Sequence, residues 1–294
     1  MSRTLWAWVA GGVAVALLVT AGWLVLRPDG DTAPGVAASP SARPSPSDSP
    51  SASPSPTGPV PATYSLTTLT RPRIDQVLPG ALPLAKIDTL RGLPGVVAVP
   101  RSPRIPAYAE PDVTEAPVLA LESEYYEADA RWLVVERRPG WVRVLVPYGR
   151  GALPSDDPGR VNGASAWLRE RHVHLEHESR SVVVDLSDRT VTLTRADGGT
   201  ERLAVAIGAP ETPTPLGLTQ VFTVTEAVNT GLSVFLSMQS ESLDGFYGTD
   251  YAATALHVGV GQGQAVSNGC LRLSSTDFEH LTDLDPGVPV LIKP

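Results

Sequence analysis

The sequence predicts a mainly β protein of two folded units, which follow a transmembrane helix and a disordered linker. Three observations support this prediction. The chain has 294 residues, which is more than one average domain contains. From about residue 105 onward, short runs rich in valine, leucine and threonine alternate with turn residues, the pattern of short β-strands. One long apolar segment and one segment rich in proline and serine come before them.

The N-terminal segment, residues 1–27, is predicted to anchor the chain in a membrane. Residues 5–26 contain no charge and no proline, and at about 1.5 Å per residue such a helix crosses the roughly 30 Å hydrocarbon core. Arg3 precedes the run, Arg27 follows it, and tryptophans lie near both ends. We predict an uncleaved signal anchor, with a cleaved signal peptide as the alternative, because the run is long for a cleaved signal. In both cases the rest of the chain is exported.

Residues 28–61 are predicted to be a disordered linker. Proline, serine and alanine dominate this stretch, and such a composition cannot bury enough apolar surface to fold. We expect an extended spacer that holds the later units away from the membrane. Residues 62–104 follow as a connector punctuated by prolines, and the sequence leaves open whether it folds with its neighbour.

Residues 105–178 are predicted to form a small β-barrel. Two β-rich runs flank Arg138, Pro139 and Gly140, which is a hairpin signal. The run WVRV at residues 141–144 and the run AWLR at residues 166–169 resemble the bacterial SH3-like domains of cell-wall proteins, over about residues 96–175. The resemblance implies either a domain that binds the cell wall or a spacer.

Charge and composition limit the partners and cofactors. A formal net charge of −8 argues against a nucleic-acid partner, which would require a basic face. His172, His174 and His177 lie close together in sequence, but no fourth ligand is arranged nearby. We therefore predict no metal and no other cofactor. The single cysteine, Cys270, excludes an intramolecular disulfide.

Residues 179–294 are predicted to be a second β domain with one short helix. The runs SVVVDL, TVTLTR, QVFTVTEAV and LSVFLSM predict strands. Thr276 and Glu279 predict a capping box for a helix over residues 277–284, and residues 288–292 predict a last strand.

Cys270 and His257 are the candidate catalytic pair. A lone free cysteine is most often a small buried hydrophobic residue. A thiolate paired with an imidazole is nevertheless a good nucleophile near neutral pH, and neighbouring strands can bring two such side chains within hydrogen-bond reach. Ser267, Asn268 and Gly269 directly precede the cysteine in the segment ALHVGVGQGQAVSNGCLRL.

The last domain resembles the catalytic domain of L,D-transpeptidases, the YkuD family, over about residues 180–294. The segment VAIGAPETPTPLG at residues 205–217 matches a recurrent loop of that family. His257 and then SNGCLR at residues 267–272 match its pattern of an upstream histidine followed by Ser/Thr-His-Gly-Cys. Asn268 replaces the usual histidine, Val258 stands where glycine is usual, and the interval from histidine to cysteine is short. The resemblance implies a YkuD-like β-sandwich.

The same resemblance implies chemical roles. Cys270 would be the nucleophile that forms a thioester acyl-enzyme, and His257 the general base and then acid. The histidine precedes the cysteine, which disfavours the cell-wall cysteine peptidases in which the cysteine comes first.

Four neighbouring residues would support the reaction. Gly269 would let the backbone approach the substrate, and the amides around Gly269 and Cys270 would form an oxyanion hole, with Ser267 and Asn268 in the supporting loop. Arg272 would orient this loop or meet a substrate carboxylate, and the sequence favours the first role.

The function implied is that of a peptidoglycan L,D-transpeptidase in cell-wall biogenesis. Its partners would be two peptidoglycan stem peptides, a donor and an acceptor, joined in a cross-link between their third residues. We expect a monomer on the outer side of the cell membrane, at the cell wall. Two alternatives stay open: an L,D-carboxypeptidase, in which water is the acceptor, and a non-catalytic wall-binding protein whose last domain has degenerated at Asn268.

Overall fold

The computed structural model describes residues 59–126 and 128–294. The anchor predicted over residues 1–27 lies outside the described residues, as does the predicted linker over residues 28–61, apart from its last three residues. None of the helices in the two described ranges has the length and apolar character that a membrane crossing requires.

The first β unit, residues 59–178, is built on a five-stranded sheet. The strands of the whole unit are β1 (Val96–Pro100), β2 (Arg104–Ala107), β3 (Leu119–Glu122), β4 (Glu124–Tyr125), β5 (Ala128–Asp129), β6 (Trp132–Arg138), β7 (Trp141–Leu145), β8 (Ser165–Arg169) and β9 (Val173–His177). The sheet order is β8-β7-β6-β1-β9, and β2-β3 and β4-β5 form two further pairs. The predicted hairpin is confirmed, since Arg138 at the end of β6 pairs with Trp141 at the start of β7. The SH3-like assignment stays a prediction.

The proline-punctuated connector folds with the first β unit, which answers the question that the sequence left open. Strand β1 pairs with β6 on one side and with β9 on the other, so it is a central strand of the sheet. Leu78 and Leu82, earlier in the connector, are buried in the core of the same unit. The connector thus supplies one strand and two core residues of this unit, and the predicted domain boundaries stay predictions.

The second β unit, residues 179–294, contains one long continuous sheet. Its elements are β10 (Ser181–Asp185), β11 (Thr190–Thr194), β12 (Thr200–Ala204), β13 (Ile207–Gly208), β14 (Gly217–Ala227), β15 (Gly231–Gln239), β16 (Ala253–Val258), β17 (Ala265–Ser267), β18 (Leu271–Leu273), α1 (Ser275–Glu279) and β19 (Pro289–Lys293). The eight-stranded sheet has the order β12-β11-β10-β19-β14-β15-β16-β18, and β13 pairs separately with β17.

The predicted mainly β fold is confirmed as a barrel-like sheet, and its description as a β-sandwich stays a prediction. Strand β14 is 11 residues long, and its first residues pair with β19 while its later residues pair with β15. One strand thus joins the two halves that would be separate sheets in a sandwich. The core that the sheet encloses is aliphatic and includes Val184, Leu193, Leu236 and Phe278.

Helix α1 differs from the prediction at both ends. It begins at Ser275 and ends at Glu279, because the hydroxyl of Ser274, not Thr276, accepts the amide of Asp277 at 3.1 Å and caps the helix. The mainly β character and the single short α-helix of residues 179–294 are as the sequence predicted.

The two β units share a buried boundary. Leu133 and Leu145 of the first unit pack with Leu218 and Leu291 of the second. Gln220, which is fully buried on β14, accepts the amide of Leu133 and donates to the carbonyl of Leu145. A buried side chain that bonds two backbone groups of another unit fixes the orientation of both units, because each unmade hydrogen bond would be costly.

Candidate active site

The register of two parallel strands places the candidate residues on one face of the sheet. Strands β16 and β18 pair so that His257 lies opposite Arg272 and Leu256 opposite Leu271. Side chains alternate between faces along a strand, so Cys270, two residues before Arg272, shares the face of His257. Leu256 and Leu271 point the other way and are fully buried in the core. The pairing therefore brings the thiol, the imidazole and the guanidinium to one surface.

Small side chains leave room for the thiol on this surface. Ala253 and Ala255 precede His257 on the same face of β16, and Phe235 on β15 pairs with Ala255. The Sγ atom of Cys270 lies 3.9 Å from the carbonyl oxygen of Ala253. A larger residue at either alanine would occupy the space next to the sulfur.

The turn before the cysteine is held by a buried serine. Ser267 is 1% exposed, and its hydroxyl donates to the carbonyl of Cys270 at 2.5 Å and accepts the amide of Gly269 at 3.1 Å. Gly269 adopts φ +105°, a conformation that L side chains rarely adopt.

These bonds change the expected oxyanion hole. The amide of Gly269 is already bonded to Ser267, so it is not available to a substrate oxygen. Within the described part of the chain, the amide of Cys270 itself has no hydrogen-bond acceptor. The backbone donor that this turn leaves available is therefore the amide of Cys270.

The loop between β13 and β14 supports the cysteine turn through hydrogen bonds to Ser267. The carbonyl of Ser267 accepts both the hydroxyl of Thr212 at 3.0 Å and the amide of Ala209 at 2.8 Å. Thr214, which is buried, accepts the amide of Gly208 at 2.9 Å and so closes the loop on itself. The sequence marked this loop only by resemblance, and its role as a support for Ser267 became visible in the structure.

The orientation of His257 leaves one ring nitrogen free to accept a proton. Its Nδ1 atom lies 2.8 Å from the carbonyl oxygen of Val258, and a carbonyl can only accept, so Nδ1 carries the hydrogen of the neutral ring. The Nε2 atom then keeps its lone pair. His257 is 7% exposed and lines the same cleft as Cys270.

Burial keeps both members of the pair neutral. It lowers the pKa of the His257 imidazole and raises the pKa of the Cys270 thiol above its usual range. The positive charge of Arg272 further lowers the pKa of His257 and acts against the rise in the pKa of Cys270. Among the described residues no hydrogen bond joins the thiol to the imidazole. Both shifts favour a neutral thiol and a neutral imidazole.

Arg272 and Asn268 face the cleft with different surroundings. The aliphatic part of Arg272 packs over Gly259, where an added Cβ would lie 2.8 Å from Cδ. Arg272 lines the cleft, no residue in the described ranges forms a hydrogen bond or ion pair with its guanidinium, and its role in orienting the loop stays a prediction. Asn268 is exposed on the rim of the cleft.

A cleft of about 750 Å³ surrounds these residues, and the sequence did not predict its walls. Phe222 and Phe235 line it from the sheet, and Tyr126 lines it from the first β unit. Phe246 and Tyr251 lie in the loop between β15 and β16, residues 240–252, which we call the cleft loop. Its sequence, SESLDGFYGTDYA, is rich in aromatic, acidic and glycine residues between two strands, which is the signal that could have identified it.

The other histidines lie away from the cleft. His174 and His177 are on β9, His172 just precedes it, and His280 directly follows α1 with Nδ1 2.6 Å from the carboxylate of Glu201. In residues 59–126 and 128–294, no three His, Cys, Asp or Glu side chains are grouped as metal ligands.

Comparison with known proteins identifies the second β unit. Residues 179–292 match the family model described as the L,D-transpeptidase catalytic domain, YkuD. This part of the chain is therefore an L,D-transpeptidase catalytic domain of the YkuD family. No curated protein matches the chain.

Solved structures similar to the chain include three from mycobacteria. An L,D-transpeptidase from Mycobacterium tuberculosis H37Rv is 16% identical over 52% of this chain and 90% of its own, with a TM-score of 0.35. L,D-transpeptidase 3 from Mycobacterium tuberculosis is 18% identical over 52% and 92%, with a TM-score of 0.34. An L,D-transpeptidase from Mycobacterium smegmatis is 17% identical over 52% and 91%, with a TM-score of 0.32.

Proposed function

We propose that this protein is a cysteine-dependent L,D-transpeptidase that cross-links peptidoglycan stem peptides. The observation that carries the proposal is the strand register, which sets Cys270, His257 and Arg272 on one face of the sheet inside one cleft. The family of residues 179–292 supports the reaction class. The proposal includes a membrane anchor at residues 1–27, a monomer and a site outside the cell membrane at the cell wall.

The first half-reaction transfers an acyl group to the enzyme. The thiol of Cys270 attacks the carbonyl carbon of the donor stem's third residue while its proton passes to Nε2 of His257. The carbonyl oxygen becomes an oxyanion and accepts a hydrogen bond from the backbone amide of Cys270. The C–N bond to the terminal D-alanine then breaks, and His257 returns the proton to the leaving amine. A thioester on Cys270 and free D-alanine result.

The second half-reaction uses the same groups in reverse. The side-chain amine of an acceptor stem attacks the thioester carbonyl, His257 removes a proton from the amine, and the thiol leaves as the new amide forms. Water in place of the amine would give a shortened stem and no cross-link. Burial of the site favours the amine, because a cleft that is filled by a second stem excludes water.

Arg272 binds the donor in this proposal. Its guanidinium has no protein partner among the described residues and lies beside the candidate pair. The leaving D-alanine ends in a carboxylate, for which a guanidinium provides two parallel donors. The geometry thus supports the carboxylate role over the loop-orienting role.

The test is the intact mass of the protein after exposure to a carbapenem. A competent Cys270 gains one covalent adduct, and Cys270→Ala gains none. Purified muropeptides then distinguish the three possible functions: wild-type protein yields a cross-linked dimer, a carboxypeptidase yields only shortened stems, and a non-catalytic binder yields neither product and no adduct. Dimer formation by Cys270→Ala would contradict the proposal.

A further inference from the structure

The cleft loop, residues 240–252, is tied to its own unit at its base, where the amide of Ser240 bonds the carbonyl of Ala252 and the amide of Ala252 bonds Oε1 of Gln239. It leaves the sheet after β15 and returns at β16, and Phe246, Tyr247 and Tyr251 line the cleft that contains Cys270. Inside the loop, the amide of Phe246 bonds the carbonyl of Tyr251 and the amide of Thr249 bonds the carbonyl of Phe246. These bonds close a small turn, but they do not attach the turn to the sheet.

Arg150 of the first β unit attaches this turn. Its Nη1 atom donates to the carbonyl of Asp244 at 2.8 Å, and its Nη2 atom donates to the carbonyl of Asp250 at 2.7 Å. The two carbonyls lie on opposite arms of the loop, so one planar guanidinium joins both arms. Arg150 is only 1% exposed, and a buried charge requires such partners because losing its hydration is costly.

Two further contacts from the same unit hold the loop. Asn162 donates to the carbonyl of Gln239 at 2.8 Å and accepts the amide of Gln239 at 2.8 Å, so its amide group pairs with the last residue of β15 as a strand would. The amide of Ser155 donates to the carboxylate of Asp244 at 3.0 Å. The first β unit therefore contacts the base and both arms of a loop that forms a wall of the cleft in the second unit.

We propose that Arg150 is a positioning residue for the transpeptidase site: it holds the cleft loop against the first β unit and so gives the cleft the shape that binds a stem peptide. The first unit then acts as part of the binding site rather than as a spacer. The activity readout of this proposal rests on the proposed function, whereas the loop itself is measured without any substrate.

The experiment compares Arg150→Met and Arg150→Lys with Arg101→Met, an arginine-to-methionine control at an exposed position of the first unit. Arg101 donates one hydrogen bond to the carbonyl of Val173 inside the first unit, away from the loop. Lysine keeps the charge of Arg150 but has a single nitrogen, and so lacks the planar fork that directs one nitrogen to each arm. Arg150→Lys should therefore show changes in loop exchange and turnover that lie between those of the wild type and those of Arg150→Met.

Hydrogen exchange gives the substrate-free readout. In Arg150→Met, the amides of Phe246 and Thr249 should exchange at least about tenfold faster, while those of β16 stay protected as in the wild type. Alkylation of Cys270 by iodoacetamide should become faster, because one wall of its cleft has opened. Unchanged exchange in the loop, or the same change in Arg101→Met, would overturn the proposal.

Turnover gives the second readout. With a muropeptide donor, kcat/KM of Arg150→Met should fall by about tenfold or more, mainly through KM, because the loop shapes binding and does not touch the reacting atoms. If the wild type shows no turnover, the proposed function fails, and exchange and alkylation still decide the role of Arg150.

Gly245→Ala opens the loop without touching the first unit. A Cβ at this position would lie 1.7 Å from the carbonyl oxygen of Thr249, so the loop must change its conformation. This variant should reproduce the faster exchange, faster alkylation and higher KM of Arg150→Met. A loss of turnover in Gly245→Ala with normal turnover in Arg150→Met would show that the first unit does not position the loop.

Discussion

Replacing Ser267 with alanine should separate the support of the cysteine turn from the overall stability of the domain. The buried hydroxyl makes two hydrogen bonds inside the turn, one to the carbonyl of Cys270 and one from the amide of Gly269. Each backbone group left without a partner in such a place costs about 1–3 kcal/mol. We therefore expect Ser267→Ala to lose about 2–4 kcal/mol of unfolding free energy.

The same change should slow acylation beyond its effect on stability. The Cys270 amide is aimed by the turn that Ser267 closes, and loss of one aligned oxyanion donor lowers kcat by about 100-fold or more. Denaturant unfolding measures the first effect, and the rate of adduct formation with a carbapenem, followed by mass, measures the second.

Ser274→Ala is the control for both measurements. Ser274 lies four residues after Cys270 and caps α1 through the amide of Asp277, so its loss should cost about 1 kcal/mol and leave acylation unchanged. Ser267→Thr keeps a hydroxyl and should retain most of the rate. Equal losses of stability and rate in the two alanine variants would refute the reasoning about the turn.

Three further predictions concern the pair, the supporting loop and the boundary between the units. Burial lowers the pKa of His257 below its ordinary value of about 6.5, so the imidazole stays unprotonated and available as a base in mildly acid solution. The acid limb of kcat/KM against pH should therefore lie below about pH 6.5. An acid limb above that value would contradict this role of His257. Gly208→Ala would place a Cβ in steric overlap with the carbonyl oxygen of Thr212, so we expect a lower melting temperature together with slower acylation. If both values were unchanged, the loop between β13 and β14 would not support the cysteine turn. Gln220→Ala leaves the buried amide of Leu133 without its acceptor and should cost about 1–3 kcal/mol in denaturant unfolding, whereas a stability equal to that of the wild type would show that this bond does not join the two units.

The composition and the strand periodicity were sufficient for several conclusions. Alternation of apolar and polar residues is a local property, so the mainly β character, the hairpin at Pro139 and the last strand β19 followed from the sequence. The pair of Cys270 and His257 could also be proposed, because a single cysteine and an upstream histidine in a matching pattern are visible without coordinates. The resemblance to a catalytic domain is confirmed for residues 179–292.

Small local choices were decided by neighbours that the pattern did not reveal. Ser274 caps the helix instead of Thr276. Strand β18 ends at Leu273, so the hydroxyl of the next residue, Ser274, is the one that reaches the amide of Asp277. Likewise, the resemblance suggested a general oxyanion role for the amides near Gly269, and only the side-chain orientation of Ser267 showed which amide is already bonded.

What the sequence alone determined about this protein is its mainly β character, the chemistry that its residues offer and the family that its last domain matches. What only the tertiary structure decided is how distant segments meet: β1 between β6 and β9, β14 across two halves of one sheet, and Arg150 on the cleft loop about 100 residues further along. Periodicity and local motifs report on neighbours in the chain, whereas these contacts depend on strand register and on the packing of two units, to which no short segment is sensitive.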